Sequence, residues 1–166
     1  MKHRIIFALL LTTVMAVANT SAAQSTKKNL IEDERVAEAR ALMQAGRDEI
    51  VAEEMGLSEA ESKSFWPLYR AYRADVMAVQ DRYASMIGGY LNAYEAGEIN
   101  DEYAKKLLED WLDFRKDLLQ VKQQHVRKFR KVLPVRKVVR FYQLENKMDA
   151  EIDVELARFV PLMDAL

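Results

Sequence analysis

Apolar side chains recur every three or four residues along most of this chain, and that spacing places them on one face of an α-helix. The longest series runs from Phe65 to Tyr94, and a second series runs from Leu107 to Val132. The 166 residues include only five Gly and three Pro, the residues on which sheets and tight turns depend. We therefore expect an all-α protein of about four helices, packed as long antiparallel hairpins.

Capping residues indicate where these helices begin. Ser58 followed by Glu61 is a capping box, Asn100 is a favourable cap, and Pro134 suits the first turn of a helix. Gly46 weakens the first helix, so we expect a bend or break near it. The predicted helices cover residues 30–55, 58–94, 101–132 and 134–160.

The N-terminus has the three-part pattern of a secretory signal peptide, with a basic start, an apolar core over Ile5–Val17 and small residues after it. Cleavage is expected after Ala18 or Ala23. The apolar core is too short to span a membrane comfortably. We expect a periplasmic protein without a stable membrane anchor, divided into a signal peptide (1–23), a flexible N-terminus (24–31) and a single all-helical domain (32–166).

The chain contains no Cys, which excludes disulfides, thiolate metal sites and cysteine nucleophiles. It has no Gly-rich phosphate loop and no nucleophile elbow. Glu145 and Asp149 are an acidic pair four residues apart, which we interpret as part of a solvated helix face. We predict that the protein is not an enzyme and requires no cofactor.

His125 is the only histidine after residue 23. It lies on the second apolar series, between Val121 and Phe129, which favours a packed or interface histidine over a metal ligand. His125 therefore remains only a weak candidate for metal binding, and a metal-responsive periplasmic sensor is the alternative function.

A strongly basic segment overlaps the second apolar series. Between Arg115 and Arg140 there are ten Lys or Arg, and Asp117 is the only acid among them. Nucleic-acid binding would use such charges, but an exported protein rarely meets nucleic acid. Binding of unfolded or acidic polypeptide is favoured, and the alternative is a solvated coat that pairs with the acidic segment Glu32–Glu61. The candidate binding residues are Arg115, Lys122, Arg127, Lys128, Arg130, Lys131, Arg136, Lys137 and Arg140.

The sequence has two helix openings, the segments where a helix is predicted to begin, with the same apolar spacing. Leu57, Phe65 and Leu68 have the same spacing as Leu133, Phe141 and Leu144. With its export signal and Cys-free helical body, the chain resembles the Spy/CpxP-like periplasmic proteins over roughly residues 46–166. Family members carry Leu-Thr-x-x-Gln at two such openings. The corresponding residues here are Leu57, Ser58 and Glu61 at the first opening, and Leu133, Pro134 and Lys137 at the second.

The resemblance implies long antiparallel helical hairpins and a curved, cradle-like homodimer whose concave face is basic with apolar patches. It also implies an ATP-independent chaperone or stress-response protein that binds unfolded or envelope proteins. A structural partner of one envelope protein is a further alternative.

Overall fold

A computed structural model describes residues 34–164 of the chain, with side chains from Ala41 onward. These residues form four α-helices and no strand, which confirms the predicted all-α class. The helices are α1 (Glu34–Glu54), α2 (Glu59–Ala96), α3 (Asp101–Phe129) and α4 (Val135–Phe159). The predicted signal peptide and flexible N-terminus lie outside the described residues. None of the described helices is long and apolar enough to cross a membrane.

The ends of α2 and the start of α3 follow from local capping chemistry. The Ser58 hydroxyl accepts from the Glu61 backbone N–H at 3.3 Å, and the Glu61 carboxylate accepts from the Ser58 N–H at 2.8 Å. This is the predicted capping box. At the other end Gly97 adopts a left-handed φ of 67°, which stops the helix. The Asn100 side chain then accepts from the Tyr103 N–H at 2.9 Å and caps α3.

Two predicted boundaries differ from those observed. α1 continues through Gly46, so the break expected there is absent and the glycine is simply a weak position within the helix. α3 ends at Phe129 rather than Val132 because the backbone turns over the next residues, where the Leu133 N–H bonds to the Phe129 carbonyl at 2.9 Å.

The chain divides into two compact units. In the described part, the first unit contains α1 through Gly56 together with Arg140–Phe159, and the second contains Leu57–Val139 with residues 160–164. The boundary falls within α4, so this helix contributes to both units. The single domain expected over 32–166 stays a prediction.

In the second unit, α2 and α3 form an antiparallel hairpin. The rings of Phe65 and Phe129 lie 5.5 Å apart between centroids, and those of Tyr83 and Phe114 stack at 4.2 Å. As the residue number rises along α2, the number of its partner on α3 falls, which defines the antiparallel direction. The buried apolar residues of this unit are Phe65, Tyr69, Tyr72, Val76, Val79, Tyr90, Ala93, Phe129, Leu133 and Val138.

In the first unit, α1 runs antiparallel to the 140–159 part of α4. Arg47 pairs with Asp149 at 2.7 Å, and Glu54 pairs with Arg140 at 2.7 Å. The buried apolar residues of this unit are Val51, Met55, Phe141 and Met148.

Candidate functional site

One face of α3 carries large apolar side chains that the described part of the chain leaves exposed. Leu108, Leu112 and Leu119 are 57%, 53% and 56% exposed, and Trp111 beside them is 38% exposed. Steps of four and seven residues place the three leucines on the same side of the helix. We call Leu108, Trp111, Leu112 and Leu119 the α3 stripe.

The three leucines of the α3 stripe lie away from the face that α3 turns towards α2, and Trp111 lies at the edge between the two. That inner face contains the buried His125 and Phe129 together with Phe114, which stacks on Tyr83. At 3.6 residues per turn the leucines lie roughly a third of a turn away from it. Packing of the α2–α3 hairpin therefore accounts for the inner face and leaves the stripe to be explained.

Cationic side chains interleave with the stripe. The Arg115 guanidinium lies 5.4 Å from the centroid of the Trp111 ring and 5.5 Å from that of Phe114, a cation–π arrangement that holds Arg115 against the stripe. A depression on the same helix adjoins Leu119, and its lining residues are Lys116, Leu119, Gln120, Gln123, Gln124 and Arg127. Apolar area, amide groups and positive charge are therefore available together on α3.

Five of the predicted binding residues are exposed, and their side chains form no hydrogen bond or ion pair within residues 41–164. They are Arg127, Lys128, Arg130, Lys131 and Arg136. The half-buried Lys122 does interact with the rest of the described chain. Much of the basic segment thus keeps its charge available to an outside partner.

The remaining two predicted binding residues are paired within the chain. In the second unit the Lys137 ammonium lies 2.6 Å from the Glu61 carboxylate. In the first unit the Arg140 guanidinium lies 2.7 Å from the Glu54 carboxylate and also donates to the Glu54 carbonyl. Both acids belong to the acidic segment Glu32–Glu61. Pairing with the acidic segment, the alternative to partner binding, therefore applies to Lys137 and Arg140, whose charges are partly neutralised.

The Lys137–Glu61 pair joins the two helix openings that resemble the family motif. Each residue occupies the last position of its motif copy, and the two are 76 residues apart in sequence. The hydrogen bond from Lys137, followed by that from the Ser58 backbone, lowers the pKa of Glu61 below its ordinary value. Leu133 is buried in the same unit, and Pro134 is exposed. The second unit thus links the two openings directly.

His125 is a packed residue between α2 and α3. Its side chain is fully buried, its Nε2 lies 2.7 Å from an Asp75 carboxylate oxygen, and its ring meets Tyr72 edge-on at 5.4 Å. Among the described residues there is no group of three or more His, Cys, Asp and Glu placed to hold a metal. The burial and contacts of His125 are those of a side chain packed within the hairpin.

The predicted solvated acid pair on α4 is wrong for Glu145. Its side chain is fully buried and lies 3.4 Å from the buried Arg47, which also pairs with Asp149 at 2.7 Å. No local pattern links Arg47 to an acid 98 residues away. A signal did exist, because Glu145 lies on the apolar face of α4 between Phe141 and Met148.

The α3 stripe and the exposed cations after it are two adjoining features that packing within the described chain leaves unexplained. They combine apolar area with positive charge, which suits contact with a partner that has exposed apolar groups and acidic residues. Comparison of the chain with protein-family models, with curated proteins and with solved structures found no match.

Proposed function

We propose that this chain is a periplasmic, ATP-independent chaperone or stress-response protein that binds non-native or partner polypeptide through the α3 stripe and the cations beside it. The observation that carries the proposal is the exposure of Leu108, Leu112 and Leu119 on one helix face, each more than half accessible. Exposed apolar surface of this kind on a soluble protein indicates an interaction site.

The chemistry of the stripe suits a partner without a fixed structure. Each square ångström of apolar surface removed from water contributes about 25 cal/mol, so several partly buried leucines give moderate, reversible affinity. Arg115 and Arg127 add long-range attraction to acidic segments and speed encounter. Side-chain contacts of this kind need no particular client sequence.

The resemblance to the Spy/CpxP-like proteins supports the same proposal. The two helix openings at Leu57 and Leu133 correspond to the family motif, and the ion pair between Glu61 and Lys137 brings them together. Homodimer formation belongs to the proposal as well, because it follows from the same resemblance.

An aggregation assay with substituted stripe residues tests the function. The purified chain should suppress aggregation of a chemically unfolded client without nucleotide. Leu108→Gln/Leu112→Gln/Leu119→Gln removes the apolar surface and keeps good helix formers, so α3 should persist. We expect apparent client affinity to fall about tenfold or more, because the area lost from contact includes three exposed leucines.

The matched control removes exposed apolar surface elsewhere. Leu42→Gln/Val154→Gln changes side chains that are 50% and 52% exposed on α1 and α4. This variant should suppress aggregation as well as the unchanged chain does. Equal activity of the stripe variant and the unchanged chain, at several client concentrations, would contradict the proposal.

A further inference from the structure

The chain from Leu118 to Leu144 contains no acidic residue. Within it, the cations Arg127 and Lys128 occupy the last turn of α3, where positive charge is favourable because it opposes the negative end of the helix dipole. Arg130 and Lys131 follow at the cap of α3 and share part of that benefit. Helix stability therefore explains the positive charges at the C-terminal end of α3.

Arg136 has no such explanation. It lies in the first turn of α4, where the helix dipole presents its positive end and a cation is unfavourable. That turn contains no acid, and Arg136 forms no ion pair among the described residues. A cation at a position where it destabilises the helix indicates that it interacts with a partner outside the chain.

The turn that joins α3 to α4 is held firmly by its apolar residues and its backbone. Phe129, Leu133 and Val138 are at most 5% exposed and fix both sides of the turn. The backbone N–H groups of residues 130–133 and of 137 and 138 all donate to backbone carbonyls within 3.1 Å. A bound partner therefore finds no free N–H at these positions, where recognition depends on side chains.

The side chains that remain available are cationic and apolar together. Val135 is 60% exposed, Pro134 is exposed beside it, and Lys131 and Arg136 flank them in sequence. Apolar groups flanked by cations suit the interface of a bilayer, where phosphates lie above the acyl chains. We call Arg130, Lys131, Pro134, Val135 and Arg136 the cationic turn.

We propose that the cationic turn docks reversibly on the surface of an anionic phospholipid bilayer. The guanidinium groups of Arg130 and Arg136 and the Lys131 ammonium contact lipid phosphates, and Val135 with Pro134 enters the headgroup region. This inference goes beyond the proposed polypeptide binding and does not rest on it, because docking on a bilayer requires neither the α3 stripe nor a polypeptide partner.

Electrostatic attraction sets the expected size of the effect. Each Lys or Arg close to an anionic bilayer raises partitioning about fivefold, so loss of three should lower it on the order of 100-fold. The attraction is screened over a Debye length of about 10 Å at 0.1 M salt, so binding should weaken as salt is added.

Vesicle sedimentation tests the proposal with the full chain. Vesicles of phosphatidylglycerol and phosphatidylcholine in equal parts should bind the chain, and the turn variant Arg130→Gln/Lys131→Gln/Arg136→Gln should bind far less. Vesicles of phosphatidylcholine alone measure any contribution of the apolar N-terminal residues, which both proteins share. Circular dichroism checks that the variant keeps its helices.

The matched control is Arg70→Gln/Lys105→Gln/Lys147→Gln, which removes the same charge from exposed positions that form no ion pair in the described chain. It should bind anionic vesicles as the unchanged chain does. An equal loss in this control would attribute binding to net charge and overturn the proposal. So would salt-insensitive binding by the unchanged chain, a measurement that does not depend on the variant's folding.

Soluble poly-glutamate separates the bilayer from an acidic polypeptide. The turn variant should lose vesicle binding on the order of 100-fold. Its affinity for poly-glutamate should fall no more than that of the matched control. If it loses affinity for poly-glutamate and keeps its partitioning to anionic vesicles, the cationic turn is a site for acidic polypeptide, and the bilayer proposal is wrong.

Discussion

Arg47 is a charged residue placed where water cannot reach it. It is 1% exposed, and it pairs with the fully buried Glu145 and the mostly buried Asp149. A buried charge is costly unless ion pairs and hydrogen bonds compensate it. The three side chains therefore depend on one another, and they fix α1 against the 140–159 part of α4 within the first unit.

Substitution of Arg47 tests that dependence. Arg47→Leu removes the guanidinium that lies beside the buried Glu145 carboxylate, so the free energy of unfolding should fall by about 3–5 kcal/mol. Arg140→Leu is the control, because the Arg140–Glu54 pair is about half exposed and should contribute at most about 1 kcal/mol. Urea denaturation of both variants measures the difference. Losses of similar size would contradict this account of the buried pair.

Sequence distance decides which of these residue contacts can be predicted. The capping box of Ser58 and Glu61 spans one helical turn, so local chemistry specifies it completely. Arg47 and Glu145 are 98 residues apart, and only the apolar neighbours of Glu145 on α4 indicate its burial. The charge of the Glu145 side chain alone predicts an exposed position, which is wrong.

At the scale of helices, the starts of α2 and α4 are joined by one ion pair. Glu61 caps α2 and also accepts from Lys137, which lies in the first turn of α4. Both interactions favour the ionised carboxylate, which is why its pKa lies below the ordinary value of 4.5. The pair therefore gives the second unit a stabilisation that depends on pH.

The sign of that dependence follows from the lowered pKa. A carboxylate with a folded pKa below its unfolded value stabilises the protein above the unfolded value, and the contribution disappears as pH falls through the folded pKa. Lys137→Gln should thus lower the free energy of unfolding at neutral pH. Its difference from the unchanged chain should shrink as the pH falls below 4.5.

Urea denaturation over a series of pH values measures this difference. Lys63→Gln is the control, because its partner Glu59 on the same helix is almost fully exposed and should add no comparable pH dependence. A Lys137→Gln difference that stays constant down to acid pH would contradict the role assigned to the Glu61–Lys137 pair.

Helix positions are predictable where the apolar period and the caps agree. The period of three and four residues from Phe65 to Tyr94 lies wholly within α2, and Asn100 caps α3 as expected. The predicted C-terminal end of α3 lies three residues beyond the observed one. The apolar period continues through Val132, while the backbone has already turned after Phe129. The apolar period alone does not reveal such a turn.

At the scale of the whole molecule, the site was predictable in its charge but not in its apolar part. The basic residues after Arg115 are evident from composition. Leu108, Leu112 and Leu119 lie next to the inner series of α3 in sequence, and only the packing of α2 shows which face stays exposed. Pairing likewise separates Lys137 and Arg140 from the unpaired cations. The sequence indicates the acidic segment Glu32–Glu61 as a partner but not which cations pair with it.

The proposed homodimer makes a prediction at the same scale. Association would cover apolar surface that a single chain leaves in water, and such burial is favourable. Sedimentation equilibrium should therefore give a mass that rises with concentration to twice that of the chain. A mass that stays at that of one chain over the whole concentration range would contradict the dimer.

The central claim is that non-native polypeptide binds to the outward face of α3. The most direct test is photo-crosslinking, with a photoreactive phenylalanine analogue placed at Leu112 or Leu119 and, as the control, at Leu42 or Val154. All four positions are about half exposed, so a new side chain should be accommodated at each. We predict crosslinks to an unfolded client from Leu112 and Leu119 and few from the controls. Equal crosslinking from all four positions, or crosslinking only from the controls, would contradict the claim.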